Sequence, residues 1–242
     1  MPLVIGKGAA RKAVRRNIKY GADLIKTCST GGVLSKGTKV GAPQYTLEEL
    51  TALVDEAHSR GLKVASHAHG AEGIINALKA GADTIEHASF IDDEGIRLAI
   101  ENNAALSMDI YVTEYILGEG ASAGILEESL EKERKTGATQ RANFQKAVEA
   151  GATIVYGTDA GVYPHGQNAK QLSRMTRFGM TPLQAIQSAT VTAAEVMGWG
   201  YEVGKIEEGY AADFVAIKGN PLEKIELLEE PTVVIKSGVR YR

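Results

Sequence analysis

Gly151-Ala-Thr-Ile-Val-Tyr-Gly157-Thr-Asp159-Ala-Gly161-Val-Tyr-Pro-His165-Gly166 is the stretch that decides the fold. Its β-branched run, Thr153-Ile154-Val155, predicts a short buried strand. Glycine stops the strand and leaves Asp159 at its C-terminal mouth. Parallel α/β folds place their chemistry at that end of the strands. Asp ahead of Ala-Gly is also ordinary turn chemistry, so this stretch alone leaves a functional acid and a turn cap level.

The same unit, a helix closed by glycine and followed by a short apolar strand, recurs on the N-terminal side. A helix over 8–20 buries Ala10, Ala13, Val14 and Ile18 and turns Arg11, Lys12, Arg15, Arg16 and Lys19 to solvent. It ends at Gly21, ahead of a strand over 22–27. Helix 46–60 ends at Gly61 before strand 62–67, helix 71–80 at Gly81 before strand 82–87, and helix 92–103 leads into strand 104–108. The junctions at Gly21, Gly81 and Gly151 read Gly-Ala-Asp or Gly-Ala-Thr, which fits the left-handed position just past a helix. Five strands alternating with helices predict a parallel sheet with right-handed crossovers.

Between Asp109 and Gly151 the chain is long, acidic and partly glycine-rich, and reads as an extended loop, a lid or substrate wall, and a long helical region that ends at Gly151 and turns its glutamates to solvent. Tyr111, Glu114 and Tyr115 lie close to the strand end, where they would face a substrate. Thr181-Pro182 opens a helix running to Met197. Beyond it, 204–206, 213–217, 233–236 and 239–242 predict short strands, with Ser237-Gly238 as a tight hairpin turn. Residues 1–198 therefore read as the α/β portion and 199–242 as a small β segment.

The 242 residues, 44% hydrophobic and 24% charged, suffice for one large core. A formal net charge of -3 argues against a nucleic-acid or anionic-membrane partner. The single cysteine, Cys28, excludes an internal disulfide and an all-cysteine metal site, and fits a reducing, cytoplasmic setting. No apolar run approaches the roughly 18 residues of a membrane span, and Met1-Pro-Leu-Val-Ile-Gly6 lacks the apolar core of a signal peptide.

Each strand end carries a polar residue of a particular kind: Lys26, His67, His87 and Asp159. Four such residues on one sheet edge are hard to explain as core packing. Histidine and aspartate ligate zinc and similar divalent metals, and Asp159 beside a metal-activated water would act as general base. An ammonium Lys26 cannot ligate a cation. Carboxylated by carbon dioxide it becomes an anionic oxygen ligand; otherwise it pairs with Asp23 or with a strand-end acid. Alternation puts His69 on the face of His67, although just past a strand end one member of such a pair usually turns away. His58 reads as structural. His165, six residues past Asp159, fits a substrate contact and a plain loop equally.

Gly-Ala-Asp-Leu-Ile-Lys26-Thr-Cys-Ser-Thr-Gly-Gly, Ser-His67-Ala-His-Gly, Thr-Ile-Glu-His87 and Gly-Thr-Asp159-Ala-Gly-Val-Tyr-Pro-His-Gly resemble successive motifs of the amidohydrolase superfamily. The likeness is strongest to its Xaa-Pro dipeptidase (prolidase) and imidazolonepropionase-like group. Gly-Lys-Ile-Glu-Glu-Gly-Tyr-Ala-Ala-Asp213-Phe-Val resembles that superfamily's β-sandwich. The resemblance implies a (β/α)8 TIM-type barrel holding two metals, usually zinc. Lys26 would be the carboxylated bridging lysine, His67 and His87 ligands, and Asp159 both ligand and proton shuttle. His165, Tyr111 and His69 would contact substrate. The reaction implied is attack of a metal-bridging hydroxide on the amide carbonyl of a small peptide, with Asp159 passing the proton to the leaving amine. Some relatives cleave dipeptides ending in Arg or Lys rather than Pro, and Asp109 and Glu114 beside Tyr111 fit that variant.

The first three barrel strands of the family, with a His-x-His pair on strand one, would precede Lys26. Only 25 residues do, and none is histidine. A full barrel takes about 250 residues, so the expectation is an incomplete barrel of about five C-terminal βα units with a β-sandwich remnant. At most one metal site would be complete in it. A partner chain or second copy would cover the open barrel edge. Two other readings stay open. One is an inactive barrel fragment that needs another chain to complete its site. The other is a phosphate-binding isomerase or aldolase barrel, which would leave His67 and His87 idle.

Overall fold

The three glycine junctions adopt the left-handed conformation that their position past a helix requires, with φ of 85° at Gly21, 93° at Gly81 and 79° at Gly151. In this computed structural model, which describes residues 6–242, each junction turns a helix into a strand of one parallel sheet. Met1–Ile5, where the absence of a signal-peptide core was inferred, lies outside the described residues.

The chain runs α1 (Lys7–Lys19), β1 (Ile25–Cys28), α2 (Leu47–His58), β2 (Val64–Ala68), α3 (Ala71–Ala80), β3 (Thr84–His87), α4 (Asp93–Glu101) and β4 (Ala105–Ser107). It continues through α5 (Val112–Gly118), α6 (Glu127–Glu149), β5 (Ile154–Val155), α7 (Lys170–Arg177), α8 (Pro182–Ser188) and α9 (Val191–Met197). Strands β6 (Phe214–Ala216), β7 (Val233–Lys236) and β8 (Val239–Arg240) follow, with a 3-10 turn at Ile225–Glu229 between β6 and β7.

Strands β1 to β5 pair in chain order and in parallel, giving the five-stranded α/β sheet expected. Ile25, Val64, Ile85, Leu106 and Ile154 share one core with Leu50 and Leu53 of α2 and Ile74 and Leu78 of α3. The alternate strand positions Lys26, Cys28 and His67 line a cavity instead. Register places Cys28 opposite His67, and His67 opposite Glu86. Local caps fix the helix starts: Thr46 with Glu49 on α2 and Thr181 with Gln184 on α8 form capping boxes, with Pro182 at the start of α8.

Three expectations are corrected. The single helix over 181–197 is two helices, α8 and α9, broken at Thr190 (φ -128°, ψ -97°). The Ser188 carbonyl at that break accepts from Tyr156 N–H, so β5 claims a group that a continuous helix would use. Residues 204–206 form no strand, because Gly204 takes φ 96° and packs against Thr190 and Ala194. The extended loop expected after Asp109 is confined to 119–126, because α5 already begins at Val112, while the helical run expected ahead of Gly151 is α6.

Strands β6, β7 and β8 form an antiparallel sheet, and Ser237 and Gly238 turn between the last two with φ of 50° and 75°. Ser237 N–H donates to Asp213 at 2.6 Å, which holds the turn. Phe214 and Val215 of β6 are exposed, whereas Ile225 is buried in the core of the parallel sheet. No helix among the described residues is long and apolar enough to cross a membrane.

Candidate metal centre

His67 sits near the end of β2 and His69 just beyond it, before α3 begins. His69 N–H donates to Thr30 Oγ1 at 2.9 Å, its carbonyl accepts from Phe90 N–H, and its Nδ1 lies 2.8 Å from Ser89 Oγ. These bonds stop the second histidine from turning away, so both rings face the same cavity, their centroids 4.8 Å apart.

His87 ends β3 with φ 67°, and Ala88 follows at φ 47°. Consecutive left-handed residues that are not glycine are costly and persist only where the surroundings impose them. Helix α6 supplies the constraint. The Gln140 side-chain amide donates to the His87 carbonyl at 3.1 Å and to Asp109 Oδ1 at 3.0 Å. Asp109 Oδ1 in turn lies 2.9 Å from His87 Nδ1. Asn143, one turn further along α6, donates to the Ser89 carbonyl.

The result is a triangle of imidazoles. His87 lies 4.6 Å from His67 and 4.8 Å from His69, centroid to centroid. One ligand atom from each of the three falls within 4.8 Å of the others, and the same holds for His87, Asp109 and Asp159. Burial, then the neighbouring His87, pushes His67 down to about 4. Burial likewise drives His69 well below its ordinary value, so both rings are neutral donors at physiological pH. At His87 burial acts in the same sense, but the charge and hydrogen bond of Asp109 outweigh it and raise the ring. For Asp109 burial opposes ionisation; His87 overcomes it and holds the carboxylate down to about 2. Asp159 stands at the exposed mouth with φ 49°. The protein around its carboxyl, then the negative Asp109, keeps it above the ordinary value.

This donor set fits a divalent metal. Nitrogen ligands suit zinc and its neighbours, and the Nδ1 contacts of His69 and His87 leave the opposite ring nitrogen to a cation. The cavity, about 240 Å3, also takes in Lys26, Cys28, Val112, Ile116 and Glu133. Wider grooves along α4 carry no histidine.

The remaining expected site residues are distributed unevenly. Lys26 reaches the same cavity, but its ammonium lies 3.9 Å from Glu86, the strand-end acid rather than Asp23. Tyr111 is buried away from the cavity: its hydroxyl donates to Gln167, and Arg174 lies 5.1 Å from its ring. His165 is exposed in its loop and does not line the cavity. His58 pairs with Asp83 at 2.9 Å, a structural contact.

The expectation that Asp109 and Glu114 face a basic substrate is corrected by their partners. Asp109 is committed to His87 and Gln140, and Glu114 to Arg174 at 2.7 Å and Arg141 at 3.6 Å. Glu133, expected in solvent, is only 3% exposed and lines the cavity. With Gly137, Gln140 and Phe144 it forms one buried stripe of α6. Phasing the helix backwards from Phe144 and Ala147 would have revealed that stripe.

The amidohydrolase family model matches residues 2–240. Ochratoxinase of Aspergillus niger is 37% identical over 237 residues, covering 96% of this chain and 49% of that protein. The crystal structure of a Xaa-Pro dipeptidase with methionine bound in its active site superposes with a TM-score of 0.94 at 42% identity, over 99% of this chain and 59% of that one. A prolidase complexed with N-methylphosphonate-L-proline gives 0.92 at 29% identity, over 99% of this chain and 59% of that one. The chain thus spans about half the length of the curated relative it matches, at 49%.

Proposed function

The chain belongs to the amidohydrolase family, and from that premise we propose a metal-dependent hydrolase acting on the amide bond of a small peptide, in the manner of a dipeptidase or carboxypeptidase. The observation that carries the reading is the convergence of His67, His69 and His87, with Asp159, on one cavity at the C-terminal ends of parallel strands. Similarity to a Xaa-Pro dipeptidase supports a substrate of that size with Pro at its C-terminus, and the variant ending in Arg or Lys rests on the motif resemblance alone.

His67 and His87 would hold the metal, zinc in our reading, with Lys26 as a ligand once carboxylated and His69 as a further nitrogen donor. When bound, such a metal activates water and polarises a carbonyl. The protein's own groups do the rest. Asp109 keeps the His87 ring in one orientation. Asp159, its carboxyl held above the ordinary value, takes the proton of the attacking water and returns it to the leaving amine nitrogen. Val112 and Ile116 give the cavity an apolar wall that excludes bulk water. We assign residues 1–198 to the hydrolase portion of a (β/α)8 barrel and 199–242 to a β-sandwich segment, in a cytoplasmic protein.

The test is direct. Zinc-loaded protein incubated with Xaa-Pro and Xaa-Arg dipeptides should release free amino acid, and a chelator or His87→Ala should abolish the release. Metal-loaded protein that leaves every such amide intact would contradict the reading.

One observation favours a second reading. The parallel sheet ends at open strands β1 and β5, and Phe214, Val215, Val239 and Tyr241 are exposed on the antiparallel sheet. In this reading another chain or a second copy covers those faces and completes the site. Light scattering combined with metal analysis separates the two: a monomer that binds no divalent metal removes the hydrolase reading for this chain.

A further inference from the structure

Four acids besides Asp159 stand in or beside the cavity, and three of them already have cations. Asp109 has His87, Glu86 has Lys26, and Glu114 has Arg174 and Arg141. The fourth is Glu133. Among the described residues no lysine, arginine or histidine comes within ion-pair distance of it, and its one hydrogen bond is the Thr113 hydroxyl. Arg141 acts on Glu133 only from longer range, since its guanidinium is engaged by Glu114 at 3.6 Å and by the Ile110 carbonyl at 3.3 Å.

A carboxyl group so placed is unusual. Burying an acid without a counter-ion costs several kcal/mol, and such groups are normally paired or replaced. Glu133 is 3% exposed, and what exposure it has opens onto the cavity that holds the histidines. Apolar Val112 and Ile116 share that wall, and the other polar side chain that α5 and α6 bring to it, Gln140, is already engaged by the His87 carbonyl and Asp109. Burial pushes it up to about 7, the state of an acid that lacks its cation.

We propose that Glu133 is a specificity-determining residue, which receives an ammonium or guanidinium group of the ligand that enters the cavity. The proposal rests on the hydrolase reading for the identity of the cavity as a substrate site, and it names the substrate class that the site would choose. A cationic ligand supplies the missing counter-ion in a desolvated setting, where charge-assisted hydrogen bonds are strongest. A neutral ligand of the same shape leaves the carboxyl unpaired.

The experiment compares N-acetyl-L-arginine with N-acetyl-L-citrulline, which replaces the guanidinium by a neutral urea of nearly the same shape. Binding of each is measured by calorimetry to the full chain and to Glu133→Gln, which keeps a partner for Thr113; circular dichroism checks that the variant is folded. The arginine compound should bind about tenfold more tightly than the citrulline compound, and Glu133→Gln should remove the preference. Equal affinity for the two compounds, binding of neither, or a preference that survives Glu133→Gln would overturn the proposal. Because binding is read without turnover, the two readings fail separately. A protein that prefers arginine yet cleaves no amide keeps this role of Glu133, whereas one that cleaves amides without charge preference loses it.

Discussion

Asp109 Oδ1 lies 2.9 Å from His87 Nδ1, and the Gln140 amide donates to the same carboxylate oxygen. One side-chain carboxylate thus connects the end of β3, the chain just beyond β4 and the middle of α6. The orientation of a ligand histidine is usually set by such a partner, and its loss typically costs 10- to 100-fold in metal affinity. Asp109→Asn should therefore weaken zinc binding by about that factor while leaving the helical circular-dichroism signal in place. Competition against a chromophoric chelator measures it, and an unchanged affinity would show that His87 is oriented by something else.

Glu133 gives the protein a pH signature of its own. Its folded-state value is raised to about 7 from 4.5, so the folded state holds a proton that the unfolded state releases. The cost is absent below the unfolded value, grows between about pH 4.5 and 7, and is fully present above. At 1.36 kcal/mol per unit it is on the order of 3 kcal/mol. Urea unfolding at pH 5 and pH 8 should show Glu133→Gln gaining stability relative to wild type at the higher pH. A constant difference between the two proteins would contradict this account of the carboxyl.

Gly137 marks the close approach of α6 to α5. A Cβ there would stand 2.3 Å from Thr113 Cγ2 and 2.9 Å from Glu133 Oε1. Overpacking of this kind costs about 1–3 kcal/mol, against a helix-propensity gain of about 1 kcal/mol for Gly to Ala. Gly137→Ala should lower the melting temperature and disturb the Thr113–Glu133 contact. A rise in melting temperature would mean that α5 moves aside at little cost.

His165 tests the boundary of the site. It is exposed and does not line the cavity, so His165→Ala should leave zinc affinity unchanged, whereas His67→Ala should abolish it. Running both variants in the same chelator competition checks the contrast.

The sheet was legible because its signals are local. Gly21, Gly81 and Gly151 each occupy a backbone conformation that other residues avoid, and the apolar runs after them are too short for anything but strands. His67, His87 and Asp159 were legible for the same reason, as polar residues at strand ends. Other features depend on contacts between distant segments. The break at Thr190 comes from Tyr156 taking the Ser188 carbonyl, and no property of 181–197 announces that partner. Asp109 and Glu114 read alike as acids near a strand end, yet one meets a histidine and the other two arginines. Glu133 was hidden by composition, since a helix with five glutamates looks solvated until its buried face is phased.

The metal centre itself is the claim on which the rest depends. The most direct test is zinc titration of the 15N-histidine-labelled protein, followed by NMR of the imidazole nitrogens. Saturable binding should shift the resonances of His67, His69 and His87, leave those of His58 and His165 in place, and disappear in His87→Ala. Zinc that leaves the three cavity histidines unshifted, or that shifts all five histidines alike without saturation, would contradict the account.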